Sequence, residues 1–337
     1  MVHSAASSEN IGVPSSTPPE PRKKTISNPY IHRSQRRHFL LFDVLPIIGT
    51  AVAVGLLWVI PVPTSAWVSL GVMWLLTGLG ITVGYHRLFT HRTFKAAPGA
   101  VVALAIAGSM AGQGPVISWV ALHRRHHECS DRDGDPHSPN LSGDGFRGAL
   151  RGLVHSHFLW MRRHEYPNVM HYAPDLLKNR ALLRISRHYH LWVVLGLVIP
   201  AAIVGVMEWS LTGVLMGFLW GGLVRIFVLE HIVWAINSFL HMYGTRPYES
   251  RENSRNGGVF ALVTLGEAWH NNHHAFPDSA SFGLNWYRVD PGYWLIVVLS
   301  ACGLATDVGV PSPQRRAAKR IRTTPAGAGA GDVRGGD

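Results

Sequence analysis

The chain has 337 residues, 47% of them hydrophobic and only 15% charged, with 12 Trp and a formal charge of +11. This balance argues against two soluble domains and for one bilayer-embedded domain. Cys129 and Cys302 cannot form a disulfide framework or a CxxC thiolate site, which fits a reducing compartment. The basic residues fall in the tails and in one loop, with no basic motif that interleaves aromatics, so no nucleic-acid partner is expected.

Residues 1–37 are rich in Ser, Pro and Arg and lack an early apolar run, so they read as a disordered cytoplasmic tail and not a signal peptide. Residues 44–60 and 66–83 are uncharged, and with their flanks approach the ~20 residues that cross a ~30 Å hydrocarbon core. Only Pro61 to Ser65 separates them, a linker suited to a helical hairpin. Residues 191–207 and 211–237 repeat the arrangement. Arg225 and Glu230 interrupt the last run, and ionisable groups there face a bundle interior or pair with each other. The expected fold is therefore an all-α integral membrane protein of four transmembrane helices in two hairpins, under a cytoplasmic helical cap. The membrane domain takes residues 38–310, and residues 311–337 read as a second disordered tail.

Lys23, Lys24, Arg33, Arg36 and Arg37 precede the first span, and the loop from about residue 85 to 190 is equally basic, while both hairpin tips carry no Lys or Arg. The positive-inside rule then places both termini and that loop on the cytoplasmic side of the cell membrane. Residues 96–122 conflict with this scheme, being uncharged and long enough to cross. Pro98, Gly108, Gly112, Gly114 and Pro115 break helix continuity there, so the segment reads as one or more non-spanning helices at the cytoplasmic boundary. Residues 293–303 form a shorter apolar run of the same kind.

Of the 20 histidines, eight fall in three clusters: His86-x-x-x-x-His91, His123-x-x-His126-His127 and His270-x-x-His273-His274. Helical residues three and four apart share a face, so each HxxHH set can converge its imidazoles. His86 and His91 are five apart, roughly 140° around a straight helix, and need a helix end to cooperate. Asn237-Ser-Phe-Leu-His241 follows the last span at the same predicted depth. So many imidazoles on one face would be costly without a metal, through desolvation or mutual repulsion. Imidazole suits Fe, Zn, Cu and Ni alike, but nine rings exceed what a zinc site uses and suit two ions with open positions. A redox di-metal centre follows. Glu267, three residues before His270, reads as a carboxylate that orients a ligand.

These boxes identify the chain as similar to the membrane-bound acyl-CoA desaturases, of the stearoyl-CoA delta-9 type in an actinobacterial-looking version. The resemblance runs from about residue 38 to 311 and includes Gly266-Glu-x-x-His270-Asn-Asn-His273-His274-Ala-Phe-Pro277. It implies nine imidazole ligands to two Fe ions, His86, His91, His123, His126, His127, His241, His270, His273 and His274, with Asn237 holding a metal-bound water. Zn could replace Fe in purified protein. It also implies supporting roles for Asp135 and His137, and an acyl tunnel bent at Gln113 and Trp119 with Trp234 beside it. Val233 stands where the animal enzymes usually carry Thr.

The implied reaction is O2-dependent insertion of a cis double bond into a long-chain acyl-CoA. An unactivated methylene has no acidic proton, so an oxidised metal centre must remove its hydrogen. Two electrons would come from a separate donor, such as a flavin and iron-sulfur reductase, a ferredoxin or a cytochrome b5-like protein. Arg124, Arg147 and Arg151 are candidates for the CoA phosphates. A fatty-acid or alkane hydroxylase would share the ligands. A metal transporter would instead place ligands at the bilayer midplane, where these spans carry few.

Overall fold

In a computed structural model, residues 23–162 and 164–321 are described. In chain order the elements that position the site are α1 (Pro29–Leu56), α2 (Thr64–Thr90), α3 (Pro98–Ser109), α4 (Val116–Cys129), α5 (Gly145–His157), α6 (Tyr189–Met207), α7 (Leu211–Phe239), α8 (His270–Ala275) and α9 (Pro291–Ala301). Among the described residues, sheet is confined to two-residue strands: Thr25–Ile26 pairs antiparallel with Tyr166–Pro167, and Lys95–Ala96 with Ala305–Thr306. The fold is helical, and α1, α2, α6 and α7 are long and apolar enough to cross a membrane.

α7 is the hub. It packs against α1, α2 and α6, and glycines let the backbones approach. A Cβ on Gly217 would sit 2.4 Å from the Pro200 carbonyl oxygen of α6, and one on Gly221 would sit 2.5 Å from Ser69 Oγ of α2. Gly49 gives α1 the same access to Leu223. Arg225 is fully buried on α7 and donates to the carbonyls of Met110, at the end of α3 (2.7 Å), and Gly196 on α6 (2.9 Å). It thus satisfies a helix end that no intrahelical donor reaches. Arg225 and Glu230 both face the interior, as expected, but they form no ion pair among the described residues.

The apolar stretch at residues 96–122 is broken as its glycines and prolines suggest. α3 has 12 residues and α4 has 14, separated by a bend at Gly112 (φ +92°) and Gly114 (φ +105°), a backbone region that favours glycine. Twelve helical residues extend only about 18 Å, short of a hydrocarbon core. α9, with 11 residues, is shorter still.

Two expectations are corrected. The N-terminal tail was expected to be disordered to residue 37, but α1 begins at Pro29, with Asn28 Oδ1 accepting from Ile31 N at 2.9 Å as the cap. Asn-Pro is a strong helix start, and tail-like composition masked it. Residues 311–321 are likewise ordered: a short helix, Pro313–Ala318, follows a Ser312 cap, and Arg315 clamps Asp278 at 2.6 and 2.9 Å. Residues 1–22 and 322–337 of the two expected tails lie outside the described residues.

Gly217→Val should destabilise the bundle by about 1–3 kcal/mol through overpacking, seen as a lower melting temperature in detergent. Gly71→Ala, where an added Cβ meets nothing within 4 Å, should leave it unchanged.

Candidate metal centre

The first histidine pair depends on a local change of helix type. Residues Gly80–Thr90 of α2 are a π-helix, in which His91 N donates to His86 O at 3.1 Å across five residues. A five-residue turn matches the five-residue spacing, so His86 and His91 come to one face with ring centroids 4.9 Å apart. The straight-helix expectation of ~140° fails for that reason. His123, His126 and His127 come from α4; His270, His273 and His274 come from the single turn of α8; His241 follows α7.

The nine imidazoles form two adjoining groups. The ligand atoms of His86, His91, His123, His127 and His273 all lie within 4.8 Å of one another, and so do those of His126, His241, His270 and His274. Each His-His doublet is divided, His127 and His273 going to the first group and His126 and His274 to the second. Consecutive helical residues differ by ~100°, so each doublet addresses two neighbouring points. The rings of His127 and His274 stack across the divide at 4.4 Å.

Within the groups Nε2 atoms face each other at hydrogen-bond distance: His86 and His273 at 3.0 Å, His273 and His127 at 3.0 Å, His127 and His123 at 3.1 Å, and His241 and His270 at 3.0 Å. On the outer side, carboxylates accept from Nδ1. Glu267 binds His86 at 2.6 Å, Asp135 binds His126 at 3.1 Å, Asp131 binds His241 at 3.0 Å, and Glu252 lies 3.5 Å from His274. A neutral imidazole that donates through Nδ1 presents a lone pair at Nε2. His91, His126 and His274 Nε2 are buried and meet no hydrogen-bond partner among the described residues. Inward lone pairs, outward carboxylates and unpartnered inner nitrogens are what a site for cations requires.

The electrostatics agree. Burial, reinforced by the neighbouring imidazoles, pushes His91, His123, His127, His270, His273 and His274 well below the usual histidine range. These rings are neutral at pH 7, the form that binds metal. Burial lowers His126 too, but Asp135, together with Asp131 and Glu252, raises it above the ordinary value. Burial raises Glu267, but His86 and Arg87 hold its carboxyl below the ordinary value.

Beside the two groups lies a cavity of about 700 Å³, lined by His86, His123 and His270 and, among others, by Gln113, Trp119 and Trp234. Trp119 stacks on His123 at 5.0 Å and its Nε1 donates to Gln113 Oε1 at 3.4 Å. Asn237 is half-buried and lines the cavity with His270. His137 lies behind His126, with centroids 4.3 Å apart, and its backbone N–H donates to Asp135.

The head-group arginines are the main mismatch. Arg124 is turned inward, clamped on both Asp175 oxygens at 2.6 and 3.1 Å and donating to the carbonyls of Phe89, Thr90 and Tyr172. Its donors are consumed in tying α4 to its neighbours, so it is not free for a phosphate. Arg147 and Arg151 are exposed on α5 and do not line the cavity. The arginines at the cavity are Arg33 and Arg37, together with His38, His164 and His190. They were missed because the start of α1 was taken for a tail. Asp131 and Glu252 were missed as well. Asp131 sits in an acidic run, Asp131-Arg-Asp-Gly-Asp135, directly after the second box of a basic chain, a signal that could have found it. Glu252, in a remote loop, had none.

Asp131→Asn removes the carboxylate charge behind His241, and its amide NH2 cannot accept from Nδ1; it should weaken metal binding about 10- to 100-fold, read by chelator competition with elemental analysis. Asp133→Asn, on the exposed side of the same run, should bind as the wild type.

The fatty acid desaturase family model matches residues 58–297. A hex-5-enoyl-[acyl-carrier protein] acetylenase of Moorena producens (strain JHB) is 49% identical over 302 residues, 89% of this chain and 94% of that protein. An sn-1 stearoyl-lipid 9-desaturase of Anabaena variabilis is 34% identical, over 76% and 89% respectively. The delta-9 desaturase-like 4 protein of Arabidopsis thaliana is 36% identical, over 72% and 75%.

Proposed function

The chain belongs to the fatty acid desaturase family, and we propose that it inserts a cis double bond into a long fatty acyl chain, delta-9 in position, using dioxygen and a histidine-held pair of iron ions. The observation that carries this reading is that both histidine groups line one cavity of about 700 Å³, with Gln113, Trp119 and Trp234. The family supports an oxidoreductase in a membrane. The substrate, the metal and the site residues are the proposal.

His86, His91, His123, His127 and His273 would hold one ion. His126, His241, His270 and His274 would hold the other, with Asn237 supplying a water to the group that has one imidazole fewer. Bound there, iron supplies the oxidising power that side chains lack, so that two hydrogens leave adjacent carbons as dioxygen takes up two further electrons and two protons to give two waters. Zn could occupy the same imidazoles. Glu267, Asp135, Asp131 and Glu252 keep the Nδ1 protons on the outer side of their histidines, which fixes ring orientation through the reaction. Trp119, held by His123 and Gln113, walls the cavity beside the site and sets which carbons come to rest there.

Arg33 and Arg37 replace Arg124, Arg147 and Arg151 as the head-group clamp. Guanidinium recognises phosphate, a group common to CoA, to the phosphopantetheine arm of an acyl-carrier protein and to phospholipids. The sequence resemblance favours CoA; two of the relatives carry acyl-carrier protein and lipid in their names. Acetylenation, a second dehydrogenation of the same chain, is the competing reading, favoured by the name of the 49% identical relative. We place both termini and the site on the cytoplasmic side of the cell membrane, where a separate electron donor reaches them.

Expressed in membranes with a ferredoxin and its reductase, the chain should add monounsaturated acyl groups, read by mass spectrometry, without matching alcohols. His127→Ala and His274→Ala should abolish the product at equal expression. Arg33→Ala with Arg37→Ala should raise KM at least several-fold with little change in kcat, as loss of uniform binding requires. An alcohol product would make the chain a hydroxylase, and full activity in the histidine variants would refute the ligand set.

A further inference from the structure

Two carboxyls deep in the helical bundle have no part in the metal centre. Asp43 on α1 is 0% exposed and Glu230 on α7 is 1% exposed, and the two face one another. Neither Asp43 oxygen meets a donor among the described residues, and neither does Glu230 Oε1. One proton shared between them would still leave lone pairs unmet. The donors nearby are committed elsewhere. Arg225 is spent on the Met110 and Gly196 carbonyls, and the Tyr189 hydroxyl donates to Gly112 O at 2.5 Å while accepting from Gly114 N at 2.9 Å.

Glu230 also lines the cavity, on the same face of α7 as Val233, Trp234 and Asn237. These residues follow one another at spacings of three, one and three, so the cavity runs along one helix face. Glu230 lies seven residues before Asn237, roughly 10 Å along the axis, with Phe42 and Tyr189 beside it. A hydrocarbon chain lying along this face would meet acceptor oxygens there, beside Phe42 and Val233, with no donor to offer them.

We propose that Glu230, backed by Asp43, forms a polar subsite in the inner reach of the cavity, which holds a hydrogen-bond-donating hydroxyl. The hydroxyl belongs either to the far end of the acyl substrate or to a resident water that limits how far the chain extends. The proposal rests on the acyl reading of the cavity.

The test is binding, read as melting-temperature shifts of the purified full chain in detergent across a series of acyl-CoA thioesters, each length with a terminal methyl or a terminal hydroxyl. If the substrate brings the hydroxyl, the wild type binds the hydroxyl-ended chain about ten-fold tighter than its methyl twin, and Asp43→Leu with Glu230→Leu abolishes the difference. If water is the resident, the wild type shows no such preference, but the double variant accepts methyl-ended chains longer than the wild type tolerates. Should the double variant fail to fold, Asp43→Asn, which offers Glu230 an internal donor, must weaken whichever preference the wild type has. Identical profiles in wild type and variants overturn the subsite while leaving the acyl reading intact. If no thioester of any length shifts the wild type, the acyl reading fails and the subsite with it.

Discussion

Nine buried or half-buried imidazoles crowd their inner nitrogens into two adjoining groups. Each neutral ring has one proton, and where that proton is drawn outward to a carboxylate, as in His86 and His241, the inner nitrogen presents a lone pair toward a neighbouring ring nitrogen at about 3 Å. Charging the rings does not help, because burial and mutual repulsion push six of them well below the usual histidine range. A cation at the centre of each group would use the inward lone pairs of all its rings at once. The rest of the architecture serves to bring four segments to that point and to hold the outer nitrogens of several of their rings.

The helices around the site bend the ordinary rules where this requires it. α2 changes to π geometry, so a spacing of five becomes a common face. The α3–α4 segment breaks at two glycines with positive φ, so α4 can carry its histidines beside those of α2. Arg225 on α7 occupies the carbonyls left open at that break. Asp131 accepts from His241, Ser138, Asn140 and Asn253, which ties the loop after α4 to the chain that follows α7. These features are local departures from regular structure, and each leads back to the orientation of a histidine.

Much of this was legible in the sequence, because hydropathy and histidine spacing are both strong periodic signals. The four spans follow from uncharged runs of the right length, and HxxHH reads directly as one helix face. The expectation that each HxxHH set converges together is corrected by the structure, which divides each set between two groups, since neighbours on a helix point about 100° apart. What could not be read were contacts between remote segments: Glu252 behind His274, Arg124 folded onto Asp175, and the approach of α1 to the cavity. The clearest misreading came from composition. A Ser-, Pro- and Arg-rich stretch reads by composition as a tail, although Asn28-Pro29 starts α1 and brings Arg33 and Arg37 to the cavity.

The central claim is that the histidines make two metal positions of unequal make-up, five imidazoles around one and four around the other. Anomalous diffraction at the iron edge from crystals of the iron-loaded protein tests it most directly. Two separate peaks are predicted, one among His86, His91, His123, His127 and His273 and the other among His126, His241, His270 and His274. A single peak, or a peak ligated outside these nine residues, would contradict it.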